Sequence, residues 1–167
     1  MDKEVSGRRN MTFNGPLEAG VRVVTILGAA FPATFDIERL TAFDYLLVHT
    51  SQLGGPTDLH PGAPIQTPAT EVRRKVVQSA ILLMMTRDLV SRELHESGIR
   101  YRAGESAALF LETMRSPYLL ALKERADWLV SHLKDYNDDA FRRMMRRFFD
   151  NWIIEFQSVE RSLGSFE

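Results

Sequence analysis

Histidine side chains are the groups of this sequence best suited to acid–base chemistry or metal binding near neutral pH. They are His49, His60, His95 and His132, and they fall in four separate predicted elements without the spacing of a ligand set. His60 has a carboxylate nearby in the loop run Asp58-Leu59-His60-Pro61. That pair would suit a general base or a metal ligand. The favoured interpretation is a loop histidine that bonds to backbone.

The sequence contains none of the motifs that assemble a catalytic or nucleotide site. There is no Gly-x-x-x-x-Gly-Lys phosphate loop, no Gly-x-Gly-x-x-Gly turn, no Gly-x-Ser-x-Gly elbow and no His-Glu-x-x-His helix. Cysteine is absent as well, which excludes disulfides, thiolate zinc sites and cysteine nucleophiles. We therefore expect a protein that is not an enzyme and that uses no cofactor or metal.

Basic residues near the middle of the chain are candidates for binding an anionic partner. They are Arg73, Arg74, Lys75, Arg92, Arg100 and Arg102. Together they would form one surface for DNA phosphates or for an acidic protein. Because Glu71, Glu93 and Glu96 partly neutralise this charge, a solvated face or an acidic-protein contact is favoured over phosphate contact.

A second basic group lies on the last predicted helix, beside a wide apolar stripe. The basic members are Arg142, Arg143, Arg146 and Arg147. Three aspartates stand four residues from three of these arginines, so we expect local ion pairs. These aspartates are Asp138, Asp139 and Asp150. The stripe includes Phe148, Phe149 and Trp152, and we expect it to pack as core first and to dock a partner second, with the four arginines and His60 as further docking candidates.

Apolar residues at helical spacing define the elements that carry these groups. The first predicted helix begins near Pro16 with Asn14 as its cap, and its core face is Leu17, Val21, Val24, Leu27 and Phe31. A second helix is capped by Asp36 and runs to about Thr50. A third begins at Thr67-Pro68, with the core face Val72, Val76, Ala80, Leu83 and Met84. Residues 51–66 between them are dense in glycine and proline and predict a long loop of the kind that is usually functional.

Apolar and basic residues alternate around Glu96-Ser97-Gly98, which predicts a small β-hairpin over 89–102. Three helices followed by a hairpin is the order of a winged helix-turn-helix, with the third helix as recognition helix and the hairpin as wing. Further helices are predicted over 106–114, from Ser116-Pro117 to about Tyr136, and from Asn137 onwards.

The predicted fold is therefore mainly α, a winged helix-turn-helix with a small β-hairpin wing and a C-terminal helical extension. The predicted parts are a disordered N-terminal arm over 1–12, a winged-helix domain over 13–104, C-terminal helices over 105–158 packed on it or on a partner, and a flexible tail over 159–167.

Length and charge are compatible with this prediction. The chain has 167 residues, a net charge of −1 and 44% hydrophobic residues, which suits one domain with its own core. A near-neutral chain restricts DNA binding to local patches. No apolar run approaches the roughly 20 residues that a membrane span needs, and the first ten residues lack the apolar segment of a signal peptide. We expect a cytoplasmic protein that does not bind membranes.

Six short segments occur in an order typical of a known family. They are Phe13-Asn14-Gly15-Pro16-Leu17-Glu18, Asp44-Tyr45-Leu46-Leu47-Val48-His49, Gly54-Gly55-Pro56, Leu59-His60-Pro61, Ser116-Pro117-Tyr118 and Arg125-Ala126-Asp127-Trp128. With these segments the chain resembles the middle component of bacterial ABC-three-component systems. The resemblance extends from Phe13 to the last predicted helix.

The resemblance implies a bacterial conflict system with three parts: an ABC ATPase of the SMC or Rad50 type, an effector that is often a nuclease, and a small protein between them. Lamassu-type antiphage and antiplasmid defence has this arrangement. The middle component would be a non-catalytic adaptor that binds the ATPase and helps couple sensing of double-stranded DNA to the effector.

A different hypothesis follows from the predicted fold alone. A winged-helix transcriptional regulator would bind duplex DNA unaided, normally as a dimer that reads two half-sites. An enzyme that uses His60 and Asp58 is the least favoured hypothesis.

Overall fold

A computed structural model describes residues 15–60 and 69–148, and within these ranges it contains six α-helices, one 3-10 helix and one β-hairpin. In chain order the elements are α1 (Pro16–Ala30), α2 (Ile37–Val48), the 3-10 helix (Thr50–Leu53), α3 (Ala69–Met85), β1 (Val90–His95), β2 (Gly98–Ala103), α4 (Ala107–Thr113), α5 (Pro117–His132) and α6 (Asp138–Phe148). The predicted mainly α fold with one small hairpin is confirmed.

Local sequence signals set several of the helix starts. Asp36, Ser116 and Asn137 each accept a hydrogen bond from a backbone N–H three residues later, as N-cap residues do. The predicted cap Asn14 lies outside the described residues, and the N-cap position of α1 is Gly15, which forms no side-chain cap bond. Pro16 provides a pre-set first turn instead.

Helix α1 is the centre of the core and is buried on almost every side along its middle. Val23, Ile26 and Leu27 are fully buried, because α2, α3, α4 and α5 all pack against this helix. The predicted single core face is therefore wrong at its two ends. Leu17 and Phe31 are exposed, since they lie where the helix emerges from the surrounding bundle.

Helix α3 buries a face that matches the predicted one only in part, since Ala80 and Met84 are buried as predicted. Its buried residues are Val77, Ala80, Ile81 and Met84, a set with helical spacing. Val72, predicted in the core, is exposed. The helix carries two overlapping apolar stripes, and packing against α1 and α2 selects the second.

The hairpin pairs β1 and β2 in antiparallel register, with Val90 opposite Ala103 and His95 opposite Gly98. A further antiparallel bridge joins Tyr101 to Phe35, in the link between α1 and α2. Each of these two residues donates its backbone N–H to the carbonyl of the other, at 2.8 and 3.0 Å. The wing is therefore fixed to the helical core through β2.

Some predictions lie outside the described residues, namely the N-terminal arm, the Thr67-Pro68 helix start, residues 61–66 of the long loop, Phe149, Trp152, Asp150 and the tail. The first part of the predicted loop is not irregular, because residues 50–53 form the 3-10 helix. No helix within the described ranges has the length and apolarity needed to cross a membrane.

Candidate functional site

The predicted basic surface at the start of α3 carries less available charge than its sequence indicates. Arg73 donates from Nη1 to Asp44 Oδ2 of α2 at 2.6 Å. Lys75 Nζ lies 3.7 Å from Glu71 Oε1, in an exposed pair one helical turn apart. Arg74 is half-buried. The helix predicted as a DNA-recognition element thus uses its best-placed arginine inside the fold.

Arg100 and Arg102 of the wing are also engaged in contacts within the chain. Arg100 donates from Nη1 to Asp138 at 2.8 Å and from Nε to the Thr34 hydroxyl at 2.8 Å. Arg102 Nη2 lies 2.9 Å from Glu93 Oε1. Arg92 is exposed and faces the same side of the hairpin as Tyr101. Arg100 is therefore a link between the wing and the start of α6.

The predicted local pairing on α6 is wrong in its register. Asp138 contacts Arg39 and Arg100, which come from other elements. Asp139 lies 3.5 Å from Arg142 rather than beside Arg143. The physical reason is that the first turn of α6 packs against α2 and the wing. This packing places Arg39 and Arg100 beside Asp138.

The remaining arginines of α6 form an exposed basic face. Arg142 reaches Glu38 of α2, with Nε 3.4 Å from Oε2. Arg143, Arg146 and Arg147 are exposed, and among the residues that the structure describes they form no ion pair. Their spacing places them on one side of the helix.

The opposite side of α6 packs into the core. Phe141, Met144 and Met145 are buried, so the first half of the predicted apolar stripe is core as expected. The Phe148 side chain lies outside the part of the chain that is described.

A buried carboxylate, that of Asp44, joins the three helices α1, α2 and α3. Asp44 of α2 is almost fully buried and accepts from Arg22 Nε of α1 at 2.6 Å. Its other oxygen accepts from Arg73 of α3. Arg22 is also buried, so this ion pair is excluded from water.

The glycine- and proline-rich segment after the 3-10 helix is held on α5. Arg125 donates from Nε and Nη2 to the Thr57 carbonyl, at 2.9 and 2.7 Å. Gly55 packs against Trp128 so closely that a Cβ there would lie 2.5 Å from Cη2 of the indole. Thr50 donates its hydroxyl to the Pro56 carbonyl at 2.8 Å. Residues 54–60 are therefore an ordered excursion with a fixed position.

His60 and Asp58 do not form the pair that acid–base chemistry would need. Asp58 accepts from the Ser51 backbone N–H at 3.0 Å and lies 3.5 Å from His49 Nδ1. His60 Nε2 lies 2.8 Å from the Tyr118 hydroxyl, and the two rings stack. His60 is thus bound to a side chain of α5 and is not paired with Asp58.

Burial sets the charge of this histidine–tyrosine pair. Burial lowers the pKa of His60, and Arg22 acts in the same direction. Burial also raises the pKa of Tyr118. Both groups are therefore neutral at pH 7, and the contact is an uncharged hydrogen bond between the loop and α5.

Sequence reasoning missed the buried ionic residues Arg22, Arg39 and Asp44. A usable signal was present, since Arg22 and Asp44 are single charges inside otherwise apolar helical runs. A charge in such a position is almost never buried without a partner. The pattern therefore identifies paired residues, although it does not say which residue pairs with which.

The segments quoted above for their family resemblance come together in space. His60 contacts Tyr118, and Gly55 packs on Trp128. Asp44 and Arg22 act electrostatically on both rings, since Asp44 raises and Arg22 lowers the pKa values of His60 and Tyr118. Within residues 15–60 and 69–148 no group of three or more His, Asp or Glu residues is arranged to hold a metal ion.

Comparison with known proteins gives one family. The family model described as ABC-three component (ABC-3C) system Middle Component 2 matches residues 12–155, which is most of the chain. No curated protein and no solved structure matches the chain significantly. The family match confirms the resemblance drawn from the sequence.

Proposed function

Because the chain belongs to the ABC-three component (ABC-3C) system Middle Component 2 family, we propose that it is a non-catalytic adaptor between an ABC ATPase of the SMC or Rad50 type and an effector. The system would be a bacterial antiphage or antiplasmid defence of the Lamassu type, and it would act in the cytoplasm. The family match over residues 12–155 is the observation that carries this proposal.

The internal use of the polar side chains supports a structural role. Asp44, Arg22 and Arg73 join three helices, and His60 with Tyr118 joins the loop to α5. Two of these residues, Arg73 and His60, are ones that the sequence made candidates for partner binding or acid–base chemistry, and both are bound inside the fold. They favour a rigid body that presents surfaces over a site that binds and converts a substrate.

The wing tip is the surface we assign to the ATPase. Leu94 and Ile99 lie directly opposite each other on one face of the hairpin and are 86% and 46% exposed. The base of the same face, Val90 and Ala103, is buried in the core. An exposed apolar pair on a hairpin that is fixed to the core suits a surface that becomes covered in a complex.

The exposed face of α6 is the surface we assign to DNA held by the ATPase. Arg143, Arg146 and Arg147 are exposed on one side of this helix. Contact with phosphates by such a group is independent of base sequence and weakens as salt rises. This assignment moves the proposed DNA contact away from Arg73 and Arg100, which serve the fold.

The regulator hypothesis has weaker support. A recognition helix needs free basic or polar side chains at its start, and in α3 the side chain of Arg73 is bound to Asp44. The adaptor and regulator hypotheses predict opposite behaviour of the isolated chain. Only a regulator should bind duplex DNA tightly by itself.

Co-purification tests the adaptor. The tagged chain is co-expressed with the products of its neighbouring genes, and we expect a stable complex that contains an SMC-like ATPase. Leu94→Glu with Ile99→Glu should reduce recovery of the ATPase, whereas Leu109→Glu, an exposed leucine of α4, should not. If the chain is recovered alone and binds a labelled DNA duplex with a steep salt dependence, the adaptor hypothesis is wrong and the regulator hypothesis is favoured.

A further inference from the structure

A pocket of about 370 Å³ lies between the end of α1, the start of α2, the wing and the connection from α5 to α6. Its polar lining is Thr34, Arg39, Arg100, Lys134, Asn137 and Asp138. The rest of the lining is alanine, valine, leucine and aromatic side chains. This size is within the range of sites that enclose a small ligand or a side chain of a partner.

Arg39 is the most buried charge in the lining of this pocket. Its side chain is only 8% exposed, and its Nε is buried without a hydrogen-bond partner. The guanidinium carbon lies 4.7 to 5.4 Å from the centres of three phenylalanine rings, those of Phe35, Phe43 and Phe141. Aromatic faces stabilise a cation, but they supply no negative charge.

Asp138 is shared between two arginines. Oδ1 lies 3.3 Å from Arg39 Nη1, which is long for a charged pair, while Oδ2 accepts from Arg100 at 2.8 Å. Lys134 adds a third positive charge at the exposed rim. The charged residues of the lining are therefore three cations and one carboxylate, and the buried cation has the weaker share of that carboxylate.

We propose that this pocket binds a carboxylate on a short apolar stem, as presented by a glutamate in an acidic peptide segment of a partner protein. A carboxylate can accept two parallel N–H bonds from a guanidinium, and it would add negative charge beside Arg39, which Asp138 and the more distant Asp36 supply only in part. The apolar walls would accept the stem. The proposal concerns this pocket alone and does not depend on which subunits the chain joins.

Titration with capped peptides tests the proposal on the full chain. The probe is acetyl-Leu-Glu-Leu-amide, and its neutral counterpart is acetyl-Leu-Gln-Leu-amide. The readout is the nitrogen-15 NMR signals of the Nε–H groups of Arg39 and Arg100. We expect the glutamate peptide to shift both signals to saturation and the glutamine peptide to leave them unchanged.

A pair of charge reversals locates the binding. Lys134→Glu at the rim should weaken the glutamate peptide roughly tenfold, by loss of attraction and added repulsion. Lys75→Glu changes the net charge equally on α3, which does not line the pocket, and it should bind as the original chain does. Both lysines are exposed, so the fold should be retained.

Three outcomes would overturn the proposal. The first is no saturable shift with the glutamate peptide, or an equal shift with the glutamine peptide. The second is equal weakening by Lys134→Glu and Lys75→Glu, which would indicate attraction to overall charge. The third is tighter binding of inorganic phosphate than of the glutamate peptide, which would make the pocket a phosphate site.

Discussion

Arg73 of α3 and Arg22 of α1 bind the two oxygens of one carboxylate, that of Asp44, at 2.6 Å each. Two helices that are distant in sequence are thereby tied to α2 at a single buried point. The sequence position of Arg73 suggested contact with a partner. The structure shows that Arg73 instead helps to orient α3 against α2.

Asp44→Asn should lower the free energy of unfolding by about 3–5 kcal/mol, because Arg22 and Arg73 would both lose the buried carboxylate that they bind. Urea denaturation of the full chain measures the change. Asp135→Asn, at an exposed carboxylate, should change the same quantity by less than about 0.5 kcal/mol. Similar losses in both variants would show that the buried pair contributes nothing specific.

Gly55→Ala should destabilise the chain by about 1–3 kcal/mol, because the added methyl group would overlap the Trp128 indole. The same substitution in a Trp128→Leu background should cost less, since the smaller side chain leaves room. Urea denaturation of the four chains gives a coupling energy that we expect to exceed about 0.5 kcal/mol. Additive effects would contradict the close packing of the loop on α5.

Stability should decrease as the pH falls below about 7. Burial lowers the pKa values of His49 and His60 from the ordinary value of 6.5, so the unfolded chain binds more protons than the folded chain just below that pH. The decrease should level off once the pH is below both folded pKa values. Asp58 and Asp138, whose pKa values are lowered from 3.8, extend the loss under more acidic conditions.

Unfolding free energies measured between about pH 5 and pH 7.5 test this dependence. The double variant His49→Gln with His60→Gln should show a flatter profile over this range. A profile that rises towards pH 5, or one that the double variant leaves unchanged, is incompatible with two buried neutral histidines.

Reversal of the α6 arginines should weaken DNA binding by the proposed ATPase complex. Arg143→Glu, Arg146→Glu and Arg147→Glu together remove three exposed cations, so the slope of log K against log salt should become shallower by up to about 3. The control replaces the exposed residues Lys75, Arg87 and Arg115 by glutamate, with the same change in net charge. Equal losses in both triple variants would place the DNA contact elsewhere.

The parts of the fold that were predictable from sequence are encoded within a few residues. Asp36, Ser116 and Asn137 act on backbone groups three residues away, and the hairpin follows from alternation around one turn. Each of these signals is local, so a single sequence is enough to interpret them.

The missed features depend on residues far apart in the chain. Asp44 and Arg73 are 29 positions apart, and Arg39 and Asp138 are 99 apart. The core face of α3 likewise depends on which stripe meets α1 and α2. Periodicity identifies apolar stripes and isolated charges, but the choice among partners is made only when the helices pack.

Helix α5 covers one side of α1, and Asp138 at the start of α6 is the shared counter-charge of Arg39 and Arg100. The winged-helix portion is therefore not expected to fold independently of the helices that follow it. A gene truncated after codon 104 would encode a chain in which α1 lacks its contact with α5. Arg39 and Arg100 would lack their shared carboxylate, Asp138. Recombination between related genes should accordingly transfer the winged-helix portion and the C-terminal helices together. A wing should be exchanged only with the helices that follow it.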